Sequence, residues 1–210
     1  MFKILIADDH PVVRHGLKDM LTQKLGRVKI TEASDGREAT EWLGREAWDL
    51  ILLDINLPGR SGLDVLRDAR QVCPKTPVMV LSVYPEKEFA IRALKLGAAA
   101  YLNKQSACDE LITAVRQVLG GGKYVTAALA ELLADSLEHK PGQPAHAALS
   151  IRELQVLRLI AAGRTLKEIA AELSLSEKTI GTYRLRIAQK LGLASNVELT
   201  RYALQHQLAD

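Results

Sequence analysis

Along the first 120 residues, short unbroken apolar runs alternate with stretches whose apolar positions recur every three or four residues. Leu50 to Asp54 (LILLD) reads as a central strand that can be buried on both faces, Lys3 to Ala7 (KILIA) as a short buried strand, and Val28 to Thr31, Val78 to Ser82 (VMVLS) and Ala99 to Leu102 as further strands. After His10-Pro11, the residues Val13, Leu17, Met20, Leu21 and Leu25 keep helical spacing. Further helices are expected from Asp35, over Gly62 to Val72, over Glu86 to Leu96 and over Ala107 to Leu119. Asp35 ahead of Glu38 and Ser106 ahead of Asp109 supply acceptors for free N–H groups at two of these helix starts. Five repeats of strand then helix predict an α/β fold, a doubly wound five-stranded parallel sheet with helices on both faces.

Gly120-Gly121-Gly122 ends that pattern, so the first domain is placed at 1–122. Residues 123–148 combine a short helix (Ala127 to Leu137) with HKPGQPAHAA, whose Pro, Gly and His content reads as a linker. From 149 to 210 no strand pattern remains. Ser150 with Glu153, Thr165 with Glu168 and Ser195 with Glu198 each place a hydroxyl three residues before a Glu, Ser176 opens a further helix, and Gly163 and Gly192 stand at helix ends. The result is a small all-α domain of four helices. Its second and third helices, joined at Ser174-Leu175, form a helix-turn-helix.

The composition, 48% hydrophobic and 25% charged over 210 residues, is that of an ordinary globular protein. No apolar run approaches the ~18 residues a membrane span needs, and the N-terminus MFKILIADDH lacks a leader pattern; a cytoplasmic protein without a membrane partner is expected. Cys73 and Cys108 have no CxxC partner and read as reduced thiols. Residues 1–140 hold 19 basic and 19 acidic residues, so the net charge of +3 resides entirely in 141–210. A basic final third points toward nucleic acid, though the position of the charges says more than their sum.

The chemistry gathers at strand ends. Asp8 and Asp9 end the first strand, Asp54 the third and Ser82 the fourth, and Lys104 follows the fifth; a doubly wound sheet sets these ends side by side. Crowded carboxylates raise one another's pKa unless a cation joins them, and all-oxygen ligands suit Mg²⁺. Asp9 and Asp54 are the expected ligands, with Asp8 through a water and the backbone carbonyl of Asn56 completing the shell. A carboxylate nucleophile beside Mg²⁺, with Ser82 and Lys104 to hold the remaining oxygens, is what phosphoryl transfer to Asp54 requires. Taken singly, each residue has a plainer reading: acids cap helices, Ser82 caps the next helix, and Lys104 is a surface cation. Their convergence on one sheet edge favours the chemical one.

The segments LIADDHP, LILLDINLPGRSGLDVL, VMVLS and AAAYLNK resemble the receiver domain of two-component response regulators across roughly residues 1–122. The resemblance implies that a sensor histidine kinase donates phosphate to Asp54, that Mg²⁺ is required, and that Ser82 and Tyr101 are switch residues. A large ring beside a small hydroxyl suits such an exchange of positions. Gln105 departs from the family, where proline often follows the lysine, so no cis X-Pro bond is expected there. His10 and His15 read as structural histidines of the first helix.

Residues 149–193, LSIRELQVLRLIAAGRTLKEIAAELSLSEKTIGTYRLRIAQKLGL, resemble the DNA-binding domain of LuxR-type regulators. With a receiver ahead of it, the chain is similar to response regulators of the NarL/FixJ class. In the helix Glu177 to Leu191, Ile180, Ile187 and Leu191 share an inward face with Tyr183 at its margin. Lys178, Thr182, Leu185 and Gln189 point the opposite way, flanked by Thr179, Gly181 and Arg186, as a major-groove reading face of double-stranded DNA would. Lys178, Thr179, Arg186 and Lys190 are the candidate phosphate contacts, and Arg184, near the inward face, is expected in a salt bridge. The alternative is an amphipathic helix with merely solvated bases. Gly181 and Tyr183 depart from the family, where a polar residue and histidine are frequent, so the operator sequence is not legible. The last helix, Asn196 to Leu208, offers Leu199, Tyr202, Ala203 and Leu208; the resemblance implies that it pairs subunits of a homodimer formed on phosphorylation.

The expected function is therefore phosphorylation-dependent transcriptional regulation, with no enzymatic activity beyond the chain's own phosphorylation and slow dephosphorylation. A phosphatase is the rival reading, but such hydrolases want a second acid two residues after the nucleophile, where Asn56 stands. A receiver acting through protein contacts alone is a third.

Overall fold

The computed structural model describes residues 1–83, 86–104, 107–138 and 144–209. Gln105, Ser106, residues 139–143 of the expected linker, and the side chains of Cys108 and Asp109 lie outside the described residues. Strands β1 (Phe2–Ala7), β2 (Val28–Ala33), β3 (Leu50–Asp54), β4 (Val78–Ser82) and β5 (Ala100–Asn103) form one parallel sheet in the order β2-β1-β3-β4-β5. This is the five-stranded doubly wound sheet that the sequence pattern predicts. β2 runs two residues past Thr31 because its ladder with β1 continues to the Ala7–Ala33 pair, beyond its apolar stretch. The strand order reverses between β1 and β3, which opens a crevice at their C-terminal ends.

Helices α1 (Pro11–Leu25), α2 (Gly36–Leu43), α3 (Gly62–Val72), α4 (Glu86–Lys95) and α5 (Ala107–Leu119) connect and cover the strands. Ile4, Ile6, Leu50, Leu52, Met79, Leu81, Ala100 and Leu102 form one sheet face, packed against Leu17 and Leu21 of α1 and Leu111, Ala114, Val115 and Val118 of α5. Side chains alternate along a strand, so the next positions outward on this same face are Asp8, Asp54 and Lys104. At the opposite edge, Trp48 is buried before β3 and donates through Nε1 to the carbonyl of Trp42, 3.0 Å away. The two indoles meet edge to face, with ring centroids 6.4 Å apart.

The chain divides into two compact units, 1–137 and 138–210, and α6 (Ala127–Glu138) belongs, except for its last residue, to the first. In the second, a 3₁₀ turn (Ala145–Ala148) precedes α7 (Ile151–Ala161), α8 (Leu166–Glu172), α9 (Glu177–Leu191) and α10 (Asn196–Gln205). Reciprocal capping boxes at Ser150/Glu153, Thr165/Glu168 and Ser195/Glu198 start α7, α8 and α10, and Ser176 caps α9 by accepting from the Thr179 N–H. Gly192, in the left-handed region at φ 66°, stops α9. Leu154, Val156, Leu157, Ile169, Ile180, Ile187 and Leu199 are buried in this unit. α10 ends three residues before Leu208, which is still buried because its N–H turns back to the Ala203 carbonyl at 2.8 Å. Among the described residues, no helix is long and apolar enough to cross a membrane.

Candidate functional site

At the crevice, Asp8 is 1% and Asp54 2% exposed. The Lys104 ammonium sits between them, 2.7 Å from Asp8 Oδ2 and 2.7 Å from Asp54 Oδ2. Asp54 Oδ1 accepts the Asn56 N–H at 3.1 Å, and the Lys104 N–H donates to the Ser82 carbonyl at 2.8 Å, which ties the loop after β5 to the end of β4. Burial, with the Asp8 carboxylate close by, pushes Asp54 above the ordinary carboxylate range, although Lys104 and the Asn56 N–H pull the other way. Burial alone would lower Lys104, but the Asp54 and Asp8 carboxylates more than offset it, so its pKa is raised and it stays a cation.

Asp8, Asp9, His10 and Asp54 each present a donor atom, all within 4.8 Å of one another. Asp8 Oδ2 and Asp9 Oδ1 are buried oxygens whose close neighbours are the Lys104 ammonium, 2.7 Å from the first, and the His10 ring, 2.6 Å from the second. Three carboxylates meeting at one point suit a hard divalent cation, so the donor set fits Mg²⁺. His10, a structural residue by its place at the helix start, joins this cluster. Its N–H donates to Asp8 Oδ1 at 2.9 Å and its Nδ1 lies 2.6 Å from Asp9 Oδ1. Arg14, which no motif singles out, donates from Nη1 to the Asp8 carbonyl at 2.7 Å and pairs through Nε with Glu32 at 3.1 Å, anchoring the end of β1 to β2.

Ser82 and Tyr101 are both fully buried. Tyr101 pairs with Val80 and Asn103 with Ser82, so the ring lies diagonal to Ser82 on the same sheet face. The loop after Asp54 is held by close backbone approaches. A Cβ on Gly62 would lie 1.8 Å from the Asp54 carbonyl oxygen, and one on Gly36 would lie 2.2 Å from that of Arg60.

On α9, Ile180 and Ile187 face inward as expected, and Lys178, Thr182, Leu185, Arg186 and Gln189 are exposed. Thr179 and Gly181 are half-buried. The Thr179 hydroxyl is 2.8 Å from Ser176 Oγ, and the Thr182 hydroxyl donates to the Lys178 carbonyl at 3.0 Å, so both are engaged within the helix. Arg184 donates to Asn196 Oδ1 at 2.5 Å, an amide in place of the expected acid. Lys190 is paired with Glu153 of α7 at 2.6 Å.

The residues expected to form a pairing face on α10 pack within their own unit. Leu199 and Ala203 are fully buried where α10 packs on α7 inside the unit, and the half-buried Tyr202 accepts the His146 N–H at 3.1 Å. These side chains complete the domain's own core. The apolar side chains that α10 exposes are Val197 (70%) and Leu204 (48%).

Comparison with known proteins accounts for both units. Residues 4–116 match the response regulator receiver domain, and residues 147–203 match the bacterial regulatory proteins of the luxR family. Response regulator UvrY of Escherichia coli strain K12 is 35% identical over 211 residues, covering 100% of this chain and 97% of UvrY. Response regulator GacA of Pseudomonas aeruginosa is 34% identical, covering 100% of this chain and 99% of GacA. A solved structure of RcsB from Salmonella enterica serovar Typhimurium, bound to promoter rprA in the presence of the phosphomimetic BeF3-, aligns with a TM-score of 0.64 at 26% identity, covering 96% of this chain and 97% of that one.

Proposed function

Since the chain belongs to the NarL/FixJ class of response regulators, we propose that it takes a phosphoryl group from a sensor histidine kinase onto Asp54 and thereby controls DNA binding by α9. The observation that carries this reading is the Lys104 ammonium bridging two buried carboxylates at the sheet edge, one of them at the tip of the central strand β3. Asp54 supplies the nucleophilic oxygen, and the Asn56 N–H steadies its Oδ1. As the phosphoryl group arrives, Lys104 exchanges an aspartate oxygen for a phosphoryl oxygen, and the Ser82 hydroxyl holds another. Mg²⁺, held by Asp8, Asp9, Asp54 and the Asn56 carbonyl, would supply the charge neutralisation that lets anionic reactants meet.

Ser82 moving toward the phosphoryl group vacates space beside the Tyr101 ring, and that exchange biases the receiver between two states. The active state favours a homodimer, which brings two α9 helices to half-sites on double-stranded DNA. Lys178 and Arg186 contact phosphates, while Thr179, Gly181, Thr182, Leu185 and Gln189 approach the groove. The promoter DNA bound by RcsB is a precedent for this use of the luxR-family domain.

A gel shift on genomic fragments, with and without acetyl phosphate, tests the whole reading. Fragments are expected to be retained more strongly with the phosphodonor, and equal retention would separate Asp54 from DNA binding. Replacing Lys178 and Arg186 together by alanine is expected to reduce the slope of log affinity against log salt by about 0.9 for each phosphate no longer neutralised. An unchanged slope would show that neither side chain meets a phosphate.

A further inference from the structure

We propose that Glu153 and Lys190 form a lock that sets the pose of the recognition helix, which makes Lys190 a positioning residue and withdraws it from the phosphate contacts. This inference rests on the DNA-binding reading of α9. Lys190 Nζ lies 2.6 Å from Glu153 Oε2, and the Glu153 side chain is only 4% exposed. The same carboxylate oxygen accepts the Ser150 N–H at 2.5 Å, so Glu153 both caps α7 and receives the far end of α9. Burial alone would raise its pKa, but hydrogen bonds from Lys190 and Ser150 outweigh that and hold it below the ordinary range. Glu153 is therefore charged at neutral pH, and its main counter-charge is the ammonium. Neighbouring Arg152, also buried, donates to Gln155 Oε1 at 2.9 Å.

If Lys190 reached for a DNA phosphate, it would leave a buried carboxylate without its cation, a costly arrangement. Lys178 and Arg186 face no such conflict, because among the described residues neither side chain has an ion pair. Lys190 stands one turn beyond the fully buried Ile187 and two residues before Gly192 ends the helix. The ion pair thus fixes the C-terminal turn of α9 against α7, and with it the rotation that aims Lys178, Thr182, Leu185, Arg186 and Gln189 outward. Neither residue contacts DNA in this arrangement. Both act through the orientation of side chains that do.

The discriminating measurement is the affinity of the full chain for sheared mixed-sequence duplex DNA, read by fluorescence anisotropy across a series of salt concentrations well below the melting temperature. Glu153→Gln keeps a cap acceptor for Ser150 and removes a negative charge. If Lys190 were a phosphate contact, freeing it would tighten binding. A positioning pair predicts the opposite: Glu153→Gln and Lys190→Gln each weaken binding by about tenfold at every salt concentration. The salt slope stays unchanged, the double variant is no worse than either single, and Lys190→Arg restores affinity. Binding by Glu153→Gln that equals or exceeds wild type, with a slope reduced by about 0.9 in Lys190→Gln, would overturn the proposal. If wild type binds no duplex even at low salt, the DNA-binding reading fails, and thermal melts still judge the lock. A double variant that melts with the singles retains it, and additive losses reject it.

Discussion

Incubated with acetyl phosphate and Mg²⁺, the wild-type chain is expected to take up one phosphoryl group and Asp54→Asn to take up none. The carbamoyl group has the shape of the carboxylate and can still accept the Asn56 N–H, so the variant keeps the loop geometry. What it loses is the anionic oxygen that the proposed attack on phosphorus requires. Substitution also removes the charge that Lys104 shares between Asp54 and Asp8, leaving the ammonium on Asp8 alone. Intact-mass spectrometry gives the answer directly: labelling at the wild-type level in Asp54→Asn would move the acceptor elsewhere, with Asp8 and Asp9 next to be tested.

The second large effect falls on a residue that performs no chemistry. Gly62→Ala places a methyl where the Asp54 carbonyl oxygen stands, 1.8 Å away, and the next neighbours, Asp54 C and Ile55 Cα, are also backbone atoms that cannot rotate aside. The Gly62 N–H donates to the Ile55 carbonyl at 3.0 Å, so the loop cannot open without losing that bond. We expect the first unit to lose about 3 kcal/mol or more, in the range reserved for steric conflicts the fold cannot absorb. Phosphoryl uptake should fall with it, since the displaced backbone carries Asp54. A urea titration followed by far-ultraviolet circular dichroism measures the loss, and a midpoint equal to wild type would mean that the loop is far softer than its close approaches indicate.

The architecture is legible because its signals are local and repeated. β1, β3, β4 and β5 are each built on a compact apolar run, each cap lies three residues from its partner, and chain order alone sends Asp8, Asp9, Asp54 and Lys104 to one sheet edge. What the sequence conceals depends on distances between residues remote along the chain. Lys190 looks like any exposed base on a groove-facing helix until Glu153, 37 positions earlier, is found beneath it. Leu199 and Ala203 form a correct apolar stripe, but periodicity cannot tell whether a stripe meets its own domain or a second copy. Here α7 covers it. His10 reads as an ordinary helix-start histidine, since nothing in the sequence reveals which way its ring turns. Gly62 reads as turn composition, and only the closeness of the Asp54 carbonyl explains why no side chain fits there.

The Trp42–Trp48 pair has a practical consequence. The chain has only two tryptophans, and both lie in the first unit, so red-edge excitation lights up the receiver and leaves the helix-turn-helix unit dark. Separation of the two edge-to-face rings would change emission when the first unit melts, while the second melts unseen except by circular dichroism. Tryptophan emission can therefore report on the first unit of the unmodified chain by itself, with no label attached.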